Sequence, residues 1–164
     1  MVSKKKLNIS SSELNTIKPI TDNQKEVFAS YEKGQNLFLY GVAGTGKTFV
    51  ALYNALKDVL DPKSPRERVY IVRSLLPTRE IGFLPGDEED KSYLYQVPYQ
   101  NMVRFMFQRG SDAEFDRLYT DLRNQGTIDF LSTSFLRGIT IDNGIIIVDE
   151  CQNLNFHELD TIIT

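Results

Sequence analysis

The chain has 164 residues, 41% of them hydrophobic and 25% charged, and a formal net charge of −3. This is one domain's worth of an ordinary soluble protein, and the charge balance makes no whole-molecule case for nucleic-acid binding. No apolar run approaches the ~20 residues that span a bilayer, no apolar block follows the N-terminal lysines, and Cys151 is the only cysteine, so we expect a cytoplasmic protein with no membrane partner.

Residues 1–18 read as a polar, flexible arm and residues 19–164 as the domain. "TDNQKEVFASYEKG" predicts a helix with Thr21 or Asp22 as cap, Val27, Phe28 and Tyr31 on one face, and Gly34 as its stop. "NLFLY" reads as a first buried strand over Leu37 to Tyr40. A helix from about Lys47 to Leu60 follows, with Val50, Leu52, Ala55, Leu56 and Val59 at helical spacing and "DPKSP" ending it. "RVYIV" predicts a second strand, and the long Pro- and Gly-rich stretch after it a functional loop, with "GDEEDK" as a solvated turn. Two helices, "VPYQNMVRFMFQRG" and "SDAEFDRLYTDLRNQG", lead to a strand around Ile128 to Leu131 and then to the β-branched run "GIIIVDE". Continuous apolar strands separated by helices indicate an α/β fold with a mainly parallel sheet. Ligands of such sheets sit at the carboxyl ends of the strands, where "GVAGTGKT" and "DE" both fall.

Gly41, Gly46, Lys47 and Thr48 match G-x-x-x-x-G-K-[ST] between a predicted strand and a predicted helix. The glycines, Gly44 included, let the backbone wrap an anion and present N–H groups to it, and the helix points its positive end there. The whole turn, Gly41, Val42, Ala43, Gly44, Thr45, Gly46, Lys47, Thr48 and Phe49, is therefore the candidate phosphate cradle. Lys47 would bridge the β- and γ-phosphates, and the Thr48 hydroxyl would ligate Mg²⁺. Asp149, just past a buried strand, is the second metal candidate, through Mg²⁺ itself or its water shell. Glu150, one residue on, is placed to orient or deprotonate an attacking water. A kinase must exclude water, whereas a hydrolase needs such a base, so the pair favours ATP hydrolysis with Lys47, Asp149 and Glu150 as its machinery.

"GVAGTGKT", "REIGFLPGDEEDK", "VPY" and "FLRGITIDNGIIIVDECQN" together resemble the PhoH-like ATPases, from about Ile20 to the last residue. The resemblance implies a three-layer P-loop NTPase fold like the first RecA-type core of superfamily 1 helicases, ATP and Mg²⁺ as cofactors, and RNA or single-stranded DNA as partner. It also implies an adenine-reading role for Gln24 and a place for Gln152 beside the γ-phosphate. Members commonly have R-G-R-T where Arg137, Gly138, Ile139 and Thr140 stand, and alanine where Cys151 stands. In the RecA-type order a further strand, carrying a γ-phosphate sensor, lies between the lysine-loop strand and "IIIVDE". No such strand follows "NLNFHELDTIIT", whose helix is predicted from a cap at Asn153 or Asn155, so a fold lacking its C-terminal part is expected.

Arg66, Arg68, Arg73 and Arg79 form a cationic cluster suited to nucleic-acid phosphates or, for Arg73, Arg79 or Arg137, to a neighbour's ATP in a homo-oligomeric ring. Tyr93, Tyr95, Tyr99, Phe105 and Phe107 offer stacking surfaces, although their near-helical spacing favours packing. His157 has no partner ligands for a metal, and Cys151 beside two carboxylates reads as an inert thiol. The competing reading from another class is a nucleotide-binding module that hydrolyses little or nothing.

Overall fold

The computed structural model describes residues 9–73, 88–136 and 139–163, with the backbone alone for 88–94, 134 and 135. Its described elements are helices α1 (Asp22–Glu32) and α2 (Lys47–Val59), strand β1 (Arg68–Arg73), helices α3 (Glu88–Phe107) and α4 (Asp112–Asn124), strand β2 (Ile128–Leu131), the short helix α5 (Thr133–Leu136), strand β3 (Gly144–Asp149) and helix α6 (Phe156–Ile163). The strands form one parallel sheet in the order β2-β1-β3, so the chain is α/β as expected.

Local chemistry sets the helix ends. The Thr21 hydroxyl accepts the Gln24 N–H at 3.2 Å to open α1, and Gly34, at φ 76°, follows its close. Asn155 caps α6, accepting the Glu158 N–H at 3.0 Å while the Glu158 carboxylate takes the Asn155 N–H at 2.9 Å. α3 begins earlier than its sequence suggests: Glu88 to Lys91, read as a turn, are helical, and Pro98 lies inside the helix. A proline there removes one ladder hydrogen bond, and the helix continues through it.

α2 turns Leu52, Ala55, Leu56 and Val59, all fully buried, toward β1, whose Val69 and Ile71 are equally sequestered. Val103, Met106 and Phe107 of α3, Phe115 and Leu122 of α4, and Ile128 of β2 complete the same core. Each large apolar side chain so buried contributes about 1.5–3 kcal/mol. The parallel register pairs Val69 with Ile128 on one side of β1 and with Ile145 on the other, and ends by setting Arg73 opposite Asp149. That last pair places the carboxyl end of β3 beside the carboxyl end of β1.

Two expectations need correction. Leu37 to Tyr40 form no strand: residues 35–40 join no ladder, and Phe38 and Tyr40 are 77% and 87% exposed. The apolar run has the composition of a buried strand, but among the described residues no neighbour offers its N–H and C=O groups a partner, and β3 keeps one edge unpaired. Among the described residues nothing pairs with the free edge of β3.

The arm is the second correction. Residues 1–8 lie outside the described residues, but 9–17 pack against the domain rather than hanging free. Ile9 enters the core, the Asn15 N–H donates to Met106 O at 2.8 Å, and the Ile17 N–H donates to the Tyr53 hydroxyl at 3.2 Å. Ser10 and Glu13 form a capping box around a single helical turn, Ser11–Glu13. A serine-rich stretch looks like linker, but Ile9, Leu14 and Ile17 pack on the core and its polar groups find partners far along the chain, such as Phe105 O for the Asn15 amide.

Two expected outcomes follow from this packing. The Ser10 N–H at 2.9 Å and the Arg109 guanidinium at 2.5 Å hold the Glu13 carboxyl below its ordinary range. A depressed carboxylate contributes stability that is complete above its unfolded pKa and is lost as pH falls through the folded one. Glu13→Gln should therefore lower the melting temperature near neutral pH, and the deficit should vanish in acid; paired melts across pH check this. At Gly144, an added Cβ would lie 2.5 Å from Ile141 Cγ2 and 2.9 Å from the Tyr70 ring. Gly144→Ala is expected to cost about 1–3 kcal/mol through overpacking, read from the urea midpoint.

Candidate active site

The turn between residue 40 and α2 has the backbone of an anion cradle. Gly44 and Gly46 take φ 78° and 81°, a left-handed region costly to any residue with a Cβ, and Gly46 is the N-cap of α2. The helix thus starts immediately behind the turn, aiming its unpaired N–H groups into it. Residues 41–45 are exposed, whereas Lys47, Thr48 and Phe49 are half-buried.

Side chains tie the turn to itself. Lys47 Nζ donates to Gly41 O at 3.0 Å and to Val42 O at 2.8 Å, and the Thr45 hydroxyl donates to Val42 O at 2.9 Å. Gln24 reaches in from α1, its Nε2 donating to Thr45 O at 3.4 Å while its Oε1 accepts the Ile20 N–H at 2.9 Å. Gln24 therefore touches the loop directly, and its amide is occupied by the backbone on both sides.

The distant acidic pair arrives at the same place. The Thr48 hydroxyl donates to Asp149 Oδ1 at 2.9 Å, joining residues 101 apart in sequence. Two oxygens at ~2.1 Å and right angles around Mg²⁺ also lie about 2.9 Å apart, and a hydroxyl with one carboxylate is the hard-oxygen donor set this ion accepts alongside phosphates and water. The residues fit the ion.

Glu150 follows at φ 53°, ψ 41°, a left-handed conformation that a non-glycine residue adopts at a cost of order 1–3 kcal/mol. It is exposed, and its carboxylate accepts a hydrogen bond from Gln152 Nε2. The kink turns the chain out of β3 into the helical turn Cys151–Asn153, so that Asp149 and Glu150 do not continue one strand.

The other Asp149 oxygen has a partner that no motif announced. The Tyr99 hydroxyl donates to Asp149 Oδ2 at 2.6 Å. Tyr99 is 2% exposed, with its ring edge-on to Phe130 at 5.4 Å. Burial first, then the bond to Asp149 and its charge, push the phenol well above the ordinary tyrosine range, against the opposing charge of Arg73. The "VPY" block was the one available signal, and it pointed to a place in the chain without a role.

Of the other candidates, Arg66 pairs with Asp58 at 3.2 Å, Arg68 reaches the Tyr70 hydroxyl at 3.4 Å, and Arg73 sits over the Tyr95 ring at 5.7 Å. Tyr99 and Phe107 are buried, which agrees with packing over stacking, while Phe105 is exposed and meets Phe49 edge-on at 5.8 Å. Arg79, Arg137 and the Tyr93 side chain lie outside the described residues. No described helix is long and apolar enough to cross a membrane.

A parallel α/β sheet with a glycine-lysine-threonine turn opening a helix, met by a strand-end aspartate, defines a P-loop NTPase. Within that class a family model described as PhoH-like protein matches residues 16–164, and the chain belongs to the PhoH-like family. It is 33% identical over 127 residues to Protein PhoH2 of Bacillus subtilis (strain 168), covering 77% of this chain and 28% of that protein. A PhoH-like protein of Synechocystis sp. is 31% identical over 146 residues, covering 88% and 42%. Protein PhoH of Escherichia coli (strain K12) is 28% identical over 142 residues, covering 86% and 38%. The chain thus spans less than half the length of the curated relatives it matches.

Proposed function

We propose that this chain binds ATP in the Gly41–Phe49 cradle and hydrolyses it with Mg²⁺. The observation that supports this most is the 2.9 Å bond between Thr48 and Asp149, which sets the two expected metal-side oxygens together behind the lysine. Lys47, now bonded to two loop carbonyls, exchanges them for β- and γ-phosphate oxygens when nucleotide enters. Thr48 and Asp149 would hold Mg²⁺, which would supply neutralisation of phosphate charge. Glu150, exposed beyond the strand end, orients the attacking water and takes its proton, and Gln152, bonded to that carboxylate, senses the change. Gln24, whose amide now bonds Thr45 O and the Ile20 N–H, would exchange those partners for the adenine edge.

RNA or single-stranded DNA as a partner is carried by resemblance, assembly into a ring by the arginines that could reach a neighbour's ATP, and a cytoplasmic location by the sequence. One observation favours the binding-module reading instead: among the described residues no strand braces the segment leading into the cradle. Phosphate release over many turnovers at saturating ATP, with and without Mg²⁺, separates the two. Sustained Mg²⁺-dependent release supports the hydrolase. Saturable ATP binding without release supports the module.

A further inference from the structure

We propose that Tyr99 is a positioning residue for Asp149, fixing the rotation of its carboxylate so that Oδ1 faces Thr48 where the metal is held. This rests on the reading of Asp149 as a metal-side group. A carboxylate at the end of a strand turns freely about its last bond unless both oxygens are held, and an aspartate bonded by Thr48 alone would lose its orientation once that hydroxyl turned to a cation. Here Oδ2 is taken by the Tyr99 hydroxyl at 2.6 Å, within hydrogen-bond distance.

Tyr99 itself is constrained from every side. Its ring is 2% exposed, lies edge-on to Phe130 of β2, and belongs to the core formed by α2, α3 and α4. The phenol has the Arg73 guanidinium nearby, and Arg73 is the register partner of Asp149. The bond to Oδ2 leaves Oδ1 as the oxygen directed at Thr48, the geometry that a shared metal shell requires. The tyrosine touches no loop residue in any bond described, so it acts through the aspartate.

The test is the gain in ATP affinity conferred by Mg²⁺, measured with a fluorescent ATP analogue on the full chain in Mg²⁺ and in EDTA. Tyr99→Phe keeps the ring and removes only the hydroxyl. It is expected to reduce the Mg²⁺ gain about ten-fold, the scale of one charge-assisted hydrogen bond, and to leave affinity in EDTA unchanged. In an Asp149→Ala background the same change is expected to have no further effect, since nothing remains to be oriented. An undiminished Mg²⁺ gain in Tyr99→Phe overturns the proposal, as does an equal loss in Mg²⁺ and EDTA, which marks a structural role. A wild-type chain that binds ATP in neither condition overturns the ATPase reading and this proposal with it; a normal wild-type gain with an indifferent Tyr99→Phe overturns the proposal alone. Should Tyr99→Phe fail to fold, Phe130→Leu, which loosens the ring without touching the hydroxyl, is expected to cut the Mg²⁺ gain two- to three-fold, and an unchanged gain there counts against the proposal equally.

Discussion

Lys47→Ala is expected to abolish ATP turnover while leaving the fold in place. Among the described residues the ammonium bonds the carbonyls of Gly41 and Val42, both in the exposed turn, so its removal opens no core cavity and strands no buried charge. Core residues of α2 such as Leu52 and Leu56 are on other turns of the helix and keep their packing. On the proposed reading, what is lost is a cation opposite the two phosphates between which charge would move. A hydrogen bond from a charged donor contributes about 1.5–3 kcal/mol, so ATP affinity should fall ten- to hundred-fold. Turnover should fall further, by at least 10²–10³-fold, because the same cation meets the charge that grows in the transition state. Isothermal titration and phosphate release give the two numbers, and a melting temperature unchanged in the absence of nucleotide shows that the fold is intact. A variant that retained half its turnover would remove the lysine from the machinery.

Glu150→Gln should separate binding from chemistry. Glu150 is exposed and its carboxylate bonds Gln152, so an isosteric amide disturbs little else. Its left-handed backbone costs glutamine what it costs glutamate. The amide cannot accept a proton from water, and loss of a general base lowers turnover about 10²–10⁴-fold. ATP affinity should stay within about two-fold, since no oxygen assigned to the metal has been touched, and ATP should remain bound long enough to be recovered intact from the complex. If Glu150→Gln releases phosphate at the wild-type rate, the base lies elsewhere.

Much of this architecture is legible from the residues because each piece of it is local. β2 matches its predicted span, and β1 and β3 differ by a residue at their ends, since a run such as "IIIVD" has few alternatives to a buried strand. α1 and α4 start where Thr21 and Ser111 can take an N–H three residues on, at 3.2 and 3.3 Å. The strand-end rule places Asp149 correctly at the carboxyl end of β3, and the lysine turn meets it there through Thr48 although the strand expected before that turn does not form.

What escaped was non-local. Whether Leu37 to Tyr40 become a strand depends on a neighbour, and composition carries no information about who pairs with whom. The anchoring of residues 9–17 depends on backbone groups of α3 far along the chain. Tyr99 has the same periodicity as any core aromatic, and only the three-dimensional path of α3 brings its hydroxyl to Asp149. Pro98 disguised the length of that helix, since a proline in sequence reads as a boundary.

The unbraced segment before the cradle bears on the thermodynamics of the first ligand encounter. In a sheet-borne turn the scaffold is organised before anything arrives; here the side-chain contacts that reach the end of residues 35–42 are few, Lys47 to Gly41 and Val42 and Thr45 to Val42. Holding a backbone residue in one conformation opposes about 1–2 kcal/mol of entropy, so a triphosphate that displaces Lys47 from its carbonyls must itself supply part of the order it finds there. Affinity at this site is then a sum of contact and induced organisation, and anything that rigidified the approach would tighten binding without touching the nucleotide.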